Sequence, residues 1–273
     1  MSIPKKTIAS LLMMGLATAG VLSGLHLGAP TVREWDVAHP ELPSLTVAVL
    51  ADFHFSDPED LKDLAAIKRQ MIGQQIDLVL FAGDYIGSHS LYDSVSRETI
   101  VDALEALAFP APAFAVLGNH DNWDSRTSWV AAFEGSKISL IENTVVETKL
   151  QNASICLRGL GDNYSGHLKR VPIPDSCGDR TITLTHDPSG LLNRDLELDS
   201  LSFAGHTHCG QIAFPWIGAP FVPTRAPREM RCGRFDRGHV GVTSGGLGTS
   251  IIPLRFGPDT EPVWELVRIQ SLK

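Results

Sequence analysis

Five short stretches of the chain gather side chains that bind divalent metals: Asp52-Phe53-His54, Gly83-Asp84, Gly118-Asn119-His120-Asp121, Thr185-His186-Asp187 and Gly205-His206-Thr207-His208. Together they hold five of the ten histidines. Imidazole nitrogen, carboxylate oxygen and amide oxygen are the donors that first-row divalent cations take. Two such ions held side by side need several of these donors and at least one carboxylate that bridges them. The Asp-x-His and His-x-His spacings set two ligands on one side of an extended segment, because residues two apart share a face. Any one of these stretches alone carries little information. The ordered set of five is specific.

Each stretch directly follows a strand-like run, and those runs must do the positioning. Residues 45–50 are a short apolar, β-branched run that fits a buried strand. Runs at 77–82 and 113–117 read the same way. Between them, residues 58–73 carry Leu61, Leu64, Ile67 and Met71 at helical spacing, with Gly73 as the C-cap. A second amphipathic stretch covers 93–108. The β-α-β-α-β order predicts crossover helices and a mostly parallel sheet. In such sheets ligand sites form outside the carboxyl ends of the strands. After residue 135 short strand-like runs dominate, at 139–141, 145–150, 154–160, 181–185, 201–203, 240–243 and 263–269. They predict a second sheet packed on the first. The expected fold class is therefore α/β: two packed mixed β-sheets, a β-sandwich, flanked by helices, with the metal site at the C-terminal ends of strands. Residues 214–237 are rich in Pro, Gly and Arg and read as a long, functional loop.

The ordered set D-x-H, G-D, G-N-H-D, H and G-H-x-H resembles that of the calcineurin-like metallophosphoesterases, over roughly residues 45–210. Gly210-Gln211, Gly245-Gly246-Leu247-Gly248-Thr249-Ser250 and Pro253-Leu254-Arg255 are similar to the bacterial branch of exported or membrane-associated phosphodiesterases. The resemblance implies a dinuclear phosphoric ester hydrolase that cleaves P–O bonds, with diesters favoured over monoesters. It implies two divalent ions, Mn, Fe or Zn. Asp52, His54 and His208 would bind the first, and Asn119, His186 and His206 the second, with Asp84 bridging. A hydroxide between the ions would attack phosphorus in line. His120 would sit over the phosphate as a catalytic group, protonating the leaving oxygen or stabilising developing charge, and Asp121 would orient it. The chain departs from the family pattern at Ala51, at Phe55-Ser56, at Gly87, where an Asp is common, and at Cys209, where a Gly is common. Two other readings are a dinuclear hydrolase of a different bond and an inactive metal-binding scaffold at the membrane. Retention of His120 argues against the scaffold.

The formal charge is −8 and no long Lys/Arg run is present, so no nucleic-acid-binding surface is expected. Bound cations let an acidic chain hydrolyse phosphate esters. Lys5 and Lys6 precede a nearly uncharged stretch from residue 7 to 30. It reads as a signal anchor, or as a signal peptide with Ala17-Thr18-Ala19 as its cleavage site; a buried core helix is the blander alternative. The expected plan is a signal segment at 1–30, a linker at 31–44 and the catalytic domain at 45–273. The protein is expected to be exported. In a bacterium it would be anchored in the inner membrane facing outward, or periplasmic or secreted if the segment is removed. Four cysteines allow three pairings. Cys156 with Cys177, and Cys209 with Cys232, each bracket an irregular stretch and are the expected pairs. For Cys209, packing or a disulfide is expected over metal ligation. Arg225, Arg228, Arg231 and Arg234 read equally as phosphate ligands or a solvated loop. Asp162-Asn163-Tyr164 reads as a turn or a pocket wall. Trp123 and Trp216 would pack in the core or wall a lipid-linked substrate, with core packing expected. His26, His39, His89, His167 and His239 read as surface or hydrogen-bonded residues.

Overall fold

The computed structural model describes residues 28–87, 95–169, 171–192 and 201–272. Most of the expected signal segment, with His26, and also His89, lie outside the described residues.

Period-two alternation sets the layers. In β2 (Leu45–Leu50), Val47 and Val49 enter one apolar cluster, and Ala48 and Leu50 enter another. In β3 (Leu78–Phe81), Leu78 and Leu80 join Val47 and Val49, and Val79 and Phe81 join Ala48 and Leu50. Strands covered on both faces read as nearly continuous apolar runs, which is why these segments show so little polar face. One cluster lies beneath helices α1 (Asp63–Met71), α2 (Arg97–Ala108) and α3 (Asn119–Glu134), which contribute Leu64 and Ile67, Ile100 and Leu104, and Trp129 and Phe133. The other cluster joins the two sheets, with Ile155, Leu157, Ile182, Leu184 and Phe203 supplied from the second. Ser96 caps α2 by accepting the Thr99 N–H at 3.2 Å, a contact typically worth about 1 kcal/mol.

Both sheets are mixed and six-stranded. The first runs in the order β1 (Thr31–His39), β12 (Val263–Ser271), β2, β3, β4 (Ala113–Ala115), β5 (Ile138–Leu140). The pairs from β2 to β5 are parallel, and β12 is antiparallel to β2. The second sheet runs β10 (Gly233–Asp236), β11 (Val240–Thr243), β9 (Leu201–Ala204), β8 (Thr181–Leu184), β7 (Ala153–Gly159), β6 (Thr144–Leu150). Its inner pairs are parallel and its two edge pairs antiparallel. Among the described residues all three α-helices pack on the first sheet. On the outer face of the second, Arg158 donates to the Val171 carbonyl (3.3 Å) and Thr243 to that of Met230 (2.7 Å), so irregular chain covers it.

Two local expectations change, and one helix joins those expected. The linker expected at 31–44 is in large part a strand: residues 31–39 form β1, paired in parallel with β12 from Thr31↔Val263 to His39↔Ser271. Pro30 and Pro40 lie just outside the strand, where proline is tolerated, and Val32, Trp35 and Val37 alternate between the two cores. The 214–237 loop closes with β10, which pairs with β11. Helix α3 grows directly from the Gly-Asn-His-Asp stretch. Its apolar spacing is weak, and extended backbone at Ser125 (φ −169°, ψ 90°) interrupts it. The disulfides are Cys156–Cys177 and Cys209–Cys232. No helix among the described residues is long and apolar enough to cross a membrane.

Candidate metal centre

All five stretches arrive at one place. β2 delivers Asp52 and His54, β3 delivers Asp84, and β4 leads into the first turn of α3 with Asn119 and His120. From the second sheet β8 delivers His186, and β9 delivers His206 and His208. The donor atoms of Asp52, His54 and His208 lie within 4.8 Å of one another, and so do those of Asp84, His186 and His206. The donor atoms of His54, Asp84 and His120 form a third such group, and Asp84 Oδ2 lies 3.7 Å from His54 Nε2 and 3.3 Å from His186 Nε2, so it links the two sides. Asn119 Oδ1 lies 3.2 Å from His186 Nε2. His208 Nε2 lies 3.5 Å from Asp52 Oδ1 and 3.0 Å from His54 Nε2. All seven side chains are buried.

The backbone is strained to bring them there. Asp52, His54, Asp84, His206 and His208 adopt left-handed φ of 55°, 50°, 56°, 71° and 50°. Each such non-glycine residue costs of order 1–3 kcal/mol and persists only where its surroundings over-determine it. Here they do. Asp52 N–H donates to the Gly83 carbonyl (2.9 Å), His54 N–H to that of Asp84 (3.1 Å), and His206 N–H to the Asp52 carboxylate (3.0 Å). Gly118 must be bare, since a Cβ there would lie 2.2 Å from Asp84 Oδ1. The His120 N–H in the first turn of α3 donates to that same Oδ1 (2.8 Å), where a helix N-terminus favours negative charge. Asp121 accepts the N–H groups of Gly118 and Asp84 at 2.8 Å, Tyr85 at 2.9 Å and Ile86 at 3.3 Å. It thus ties together the two loops that carry Asp84 and His120, and positions His120 through the backbone.

Burial lowers His54 to about 3. It also holds His208 well below the ordinary range, helped by the nearby Arg255, and lowers His206, helped by His186. These imidazoles are neutral and offer lone pairs. Burial would lower His186 too, but Asp84 outweighs it and lifts that ring well above the usual value. Burial pushes Asp52 up to about 7. It would raise Asp84 as well, yet the contacts with His186 and His54 hold that carboxyl below its ordinary range. The donor set fits divalent cations. His186 Nδ1 donates to the Ala82 carbonyl (2.6 Å) and His206 Nε2 to that of Pro223 (2.6 Å). Their other ring nitrogens face each other at 3.2 Å and need a proton or a cation between them.

Two residues that sequence reasoning left without a role support the centre. The fully buried Arg255 donates to the carbonyls of Gly245 (2.9 Å), Gly248 (2.9 Å) and Thr260 (3.0 Å), and its Nη2 lies 2.9 Å from His208 Nδ1. Gln211 donates to the carbonyls of Ser250 (3.0 Å) and Ile252 (2.8 Å) and accepts the Ser250 N–H (2.7 Å). Their only signal was polarity inside the glycine-rich tail and after the His pair. Asp162 makes a turn by accepting the N–H groups of Tyr164 and Ser165, and Tyr164 lines a cavity, so both readings of that stretch hold. Arg225, Arg228 and Arg234 are exposed, and none of the four loop arginines lines the cavities at the centre. Cys209 is in a disulfide. Trp123 and Trp216 are not in the core: the first is half exposed on a cavity wall, the second fully exposed. His39 accepts the N–H groups of Glu41 and Leu42, and His167 bonds to Ser165.

The profile of the calcineurin-like phosphoesterase family matches residues 45–210, which hold all five stretches. Phosphodiesterase YaeI of Escherichia coli (strain K12) is 31% identical over 205 residues, covering 73% of this chain and 74% of its own. The uncharacterized metallophosphoesterase YkuE of Bacillus subtilis (strain 168) is 28% identical over 222 residues, covering 77% and 74%. Among solved structures, a 5'-nucleotidase precursor from Thermus thermophilus aligns at 12% identity with a TM-score of 0.47, covering 84% of this chain and 54% of that one. The chain spans about half the length of that structure.

Proposed function

This chain belongs to the calcineurin-like phosphoesterase family, and on that premise we propose that it is a phosphodiesterase working at a centre of two divalent cations. Asp52, His54 and His208 would hold one ion and Asn119, His186 and His206 the other, with Asp84 shared. The observation that carries this reading is Asp84 Oδ2, which links the two ligand groups. When bound, such ions activate water as a nucleophile at neutral pH and neutralise charge on phosphate.

The chain's own residues do the rest. His120 stands edge-on to His54, with ring centroids 4.6 Å apart, and lines the adjoining cavity. From there it reaches the leaving oxygen and donates a proton, which matters most for an alkoxide of high pKa. Asp121 keeps the loop of His120 in register with that of Asp84. The preference for diesters is supported by two cavities that share Ile251 and Ile252. One, of about 460 Å³, is lined by His54, Ser56, Asp60 and Thr249. The other, of about 340 Å³, is lined by Asp84, Asn119, His120 and His206. A diester carries an organic group on each side of phosphorus, and a monoester carries one.

The protein acts outside the cytoplasm in this reading, attached to the membrane through residues 1–30 or released from it. Two disulfides support an oxidising compartment. An aryl phosphodiester and an aryl phosphomonoester, assayed with added manganese, test the function. The diester is expected to turn over faster. A faster monoester overturns the diester preference, and no turnover of either by the metal-loaded protein favours the scaffold.

A further inference from the structure

The 340 Å³ cavity has a polar floor and apolar walls. The floor is the centre itself. Above it rises a run of rings: His120 to Trp123 at 5.5 Å, Trp123 to Tyr164 at 6.0 Å, and Tyr164 to His206 at 4.7 Å between centroids. Phe221, 72% exposed, and Ile251, 87% exposed, line the same cavity. This mouth is built. Gln211, itself nine-tenths buried, pins the chain on both sides of Ile251 through Ser250 and Ile252. Ile251 holds a left-handed φ of 64°, which a β-branched residue rarely adopts. A costly conformation thus presents an apolar side chain to solvent at the cavity mouth.

No Lys or Arg is among the described residues lining this cavity. A second phosphate there would meet no cation, and burying an unpaired charge is costly. The volume is that of a ligand pocket, and such pockets are mostly apolar with a few polar groups that fix orientation.

We propose that this cavity is the subsite for an apolar chain, acyl or alkyl, attached beside the scissile phosphate, so that the substrate is an amphiphilic phosphodiester. The inference rests on the phosphodiesterase reading and names its substrate class. The occupant is part of the substrate because the walls continue without a break from the floor that would hold its phosphate.

The test is a series of nitrophenyl alkyl phosphodiesters from methyl to octyl, each below its micellar concentration, with the full-length, metal-loaded protein. Burial of each methylene is expected to raise kcat/KM about fourfold until the cavity is filled. Ile251→Asn combined with Phe221→Ser should lower the octyl-to-methyl ratio of kcat/KM about tenfold or more. Asn tolerates the left-handed backbone and both sites are exposed, so the variant should fold; Trp216→Ser, away from the cavity, is the control. Turnover that is flat across chain length overturns the subsite and leaves the phosphodiesterase reading standing. Absence of turnover on every diester overturns both. If the double variant loses sedimentation with phosphatidylcholine vesicles while the ratio on soluble diesters holds, the rim docks on a bilayer and the subsite is wrong.

Discussion

Asp84 and Ile251 lie on the same cavity and are held in place very differently. Asp84 is buried, its backbone N–H is bound by Asp121, its Oδ1 by His120 N–H, and its Oδ2 approaches two imidazoles. Ile251 is nearly free of cover, and Gln211 ties down only the backbone around it. The floor is over-determined, so its chemistry comes with the fold and tolerates no change. The rim is fixed in path but open in side chain, so substrate choice can vary there while the fold stays intact.

The largest effects should come from the floor. Asp84→Asn keeps the shape and removes the charge that links the ligand groups. Steady-state assays should show a loss beyond the roughly 10–100-fold typical of removing a group that merely supports a ligand. A loss no larger than that of a rim variant would erase the contrast. His120→Asn comes next. It should keep its metal content and lose about 10²–10⁴-fold in kcat on alkyl diesters, with a smaller loss on a nitrophenyl leaving group. Equal losses on both would assign His120 to charge stabilisation rather than proton donation.

How much of this contrast was legible in sequence follows from where the information lies. The floor was readable because its ligands follow strands whose apolar runs are local, as at residues 45–50 and at Leu78–Phe81. β1 was not, because its partner is the last strand of the chain and prolines flank it. α3 was hidden because its first turn is spent on Asn119, His120 and Asp121, leaving Trp129 and Phe133 to supply its apolar contact. Asp121 bonds the backbone of Asp84, Tyr85 and Ile86, and Gln211 that of Ser250 and Ile252, all distant in sequence, while Arg255 gathers the carbonyls of Gly245, Gly248 and Thr260 within an irregular tail; no side-chain pattern announces either. Trp123 is amphipathic, so its type alone does not separate a core from a cavity wall.

Smaller effects should mark the boundary between the regions. Cys209→Ser with Cys232→Ser releases the loop that carries Phe221 and Pro223. Chain-entropy reasoning gives a loss of about 3 kcal/mol for a bridge over such a loop, read as a lower midpoint in chemical denaturation. An unchanged midpoint would show that the loop is held by other contacts. Trp216→Ser, at a fully exposed position, should shift stability by no more than about 0.5 kcal/mol and leave turnover of a methyl diester where it was. A larger shift would place Trp216 in a contact outside the described structure.

Metal content tests the central claim most directly. Elemental analysis of the purified protein should find two divalent ions per chain, and Asp84→Asn should lower the occupancy of both together. One ion per chain at full activity, or loss of a single ion in Asp84→Asn, would contradict a centre in which Asp84 joins two metals.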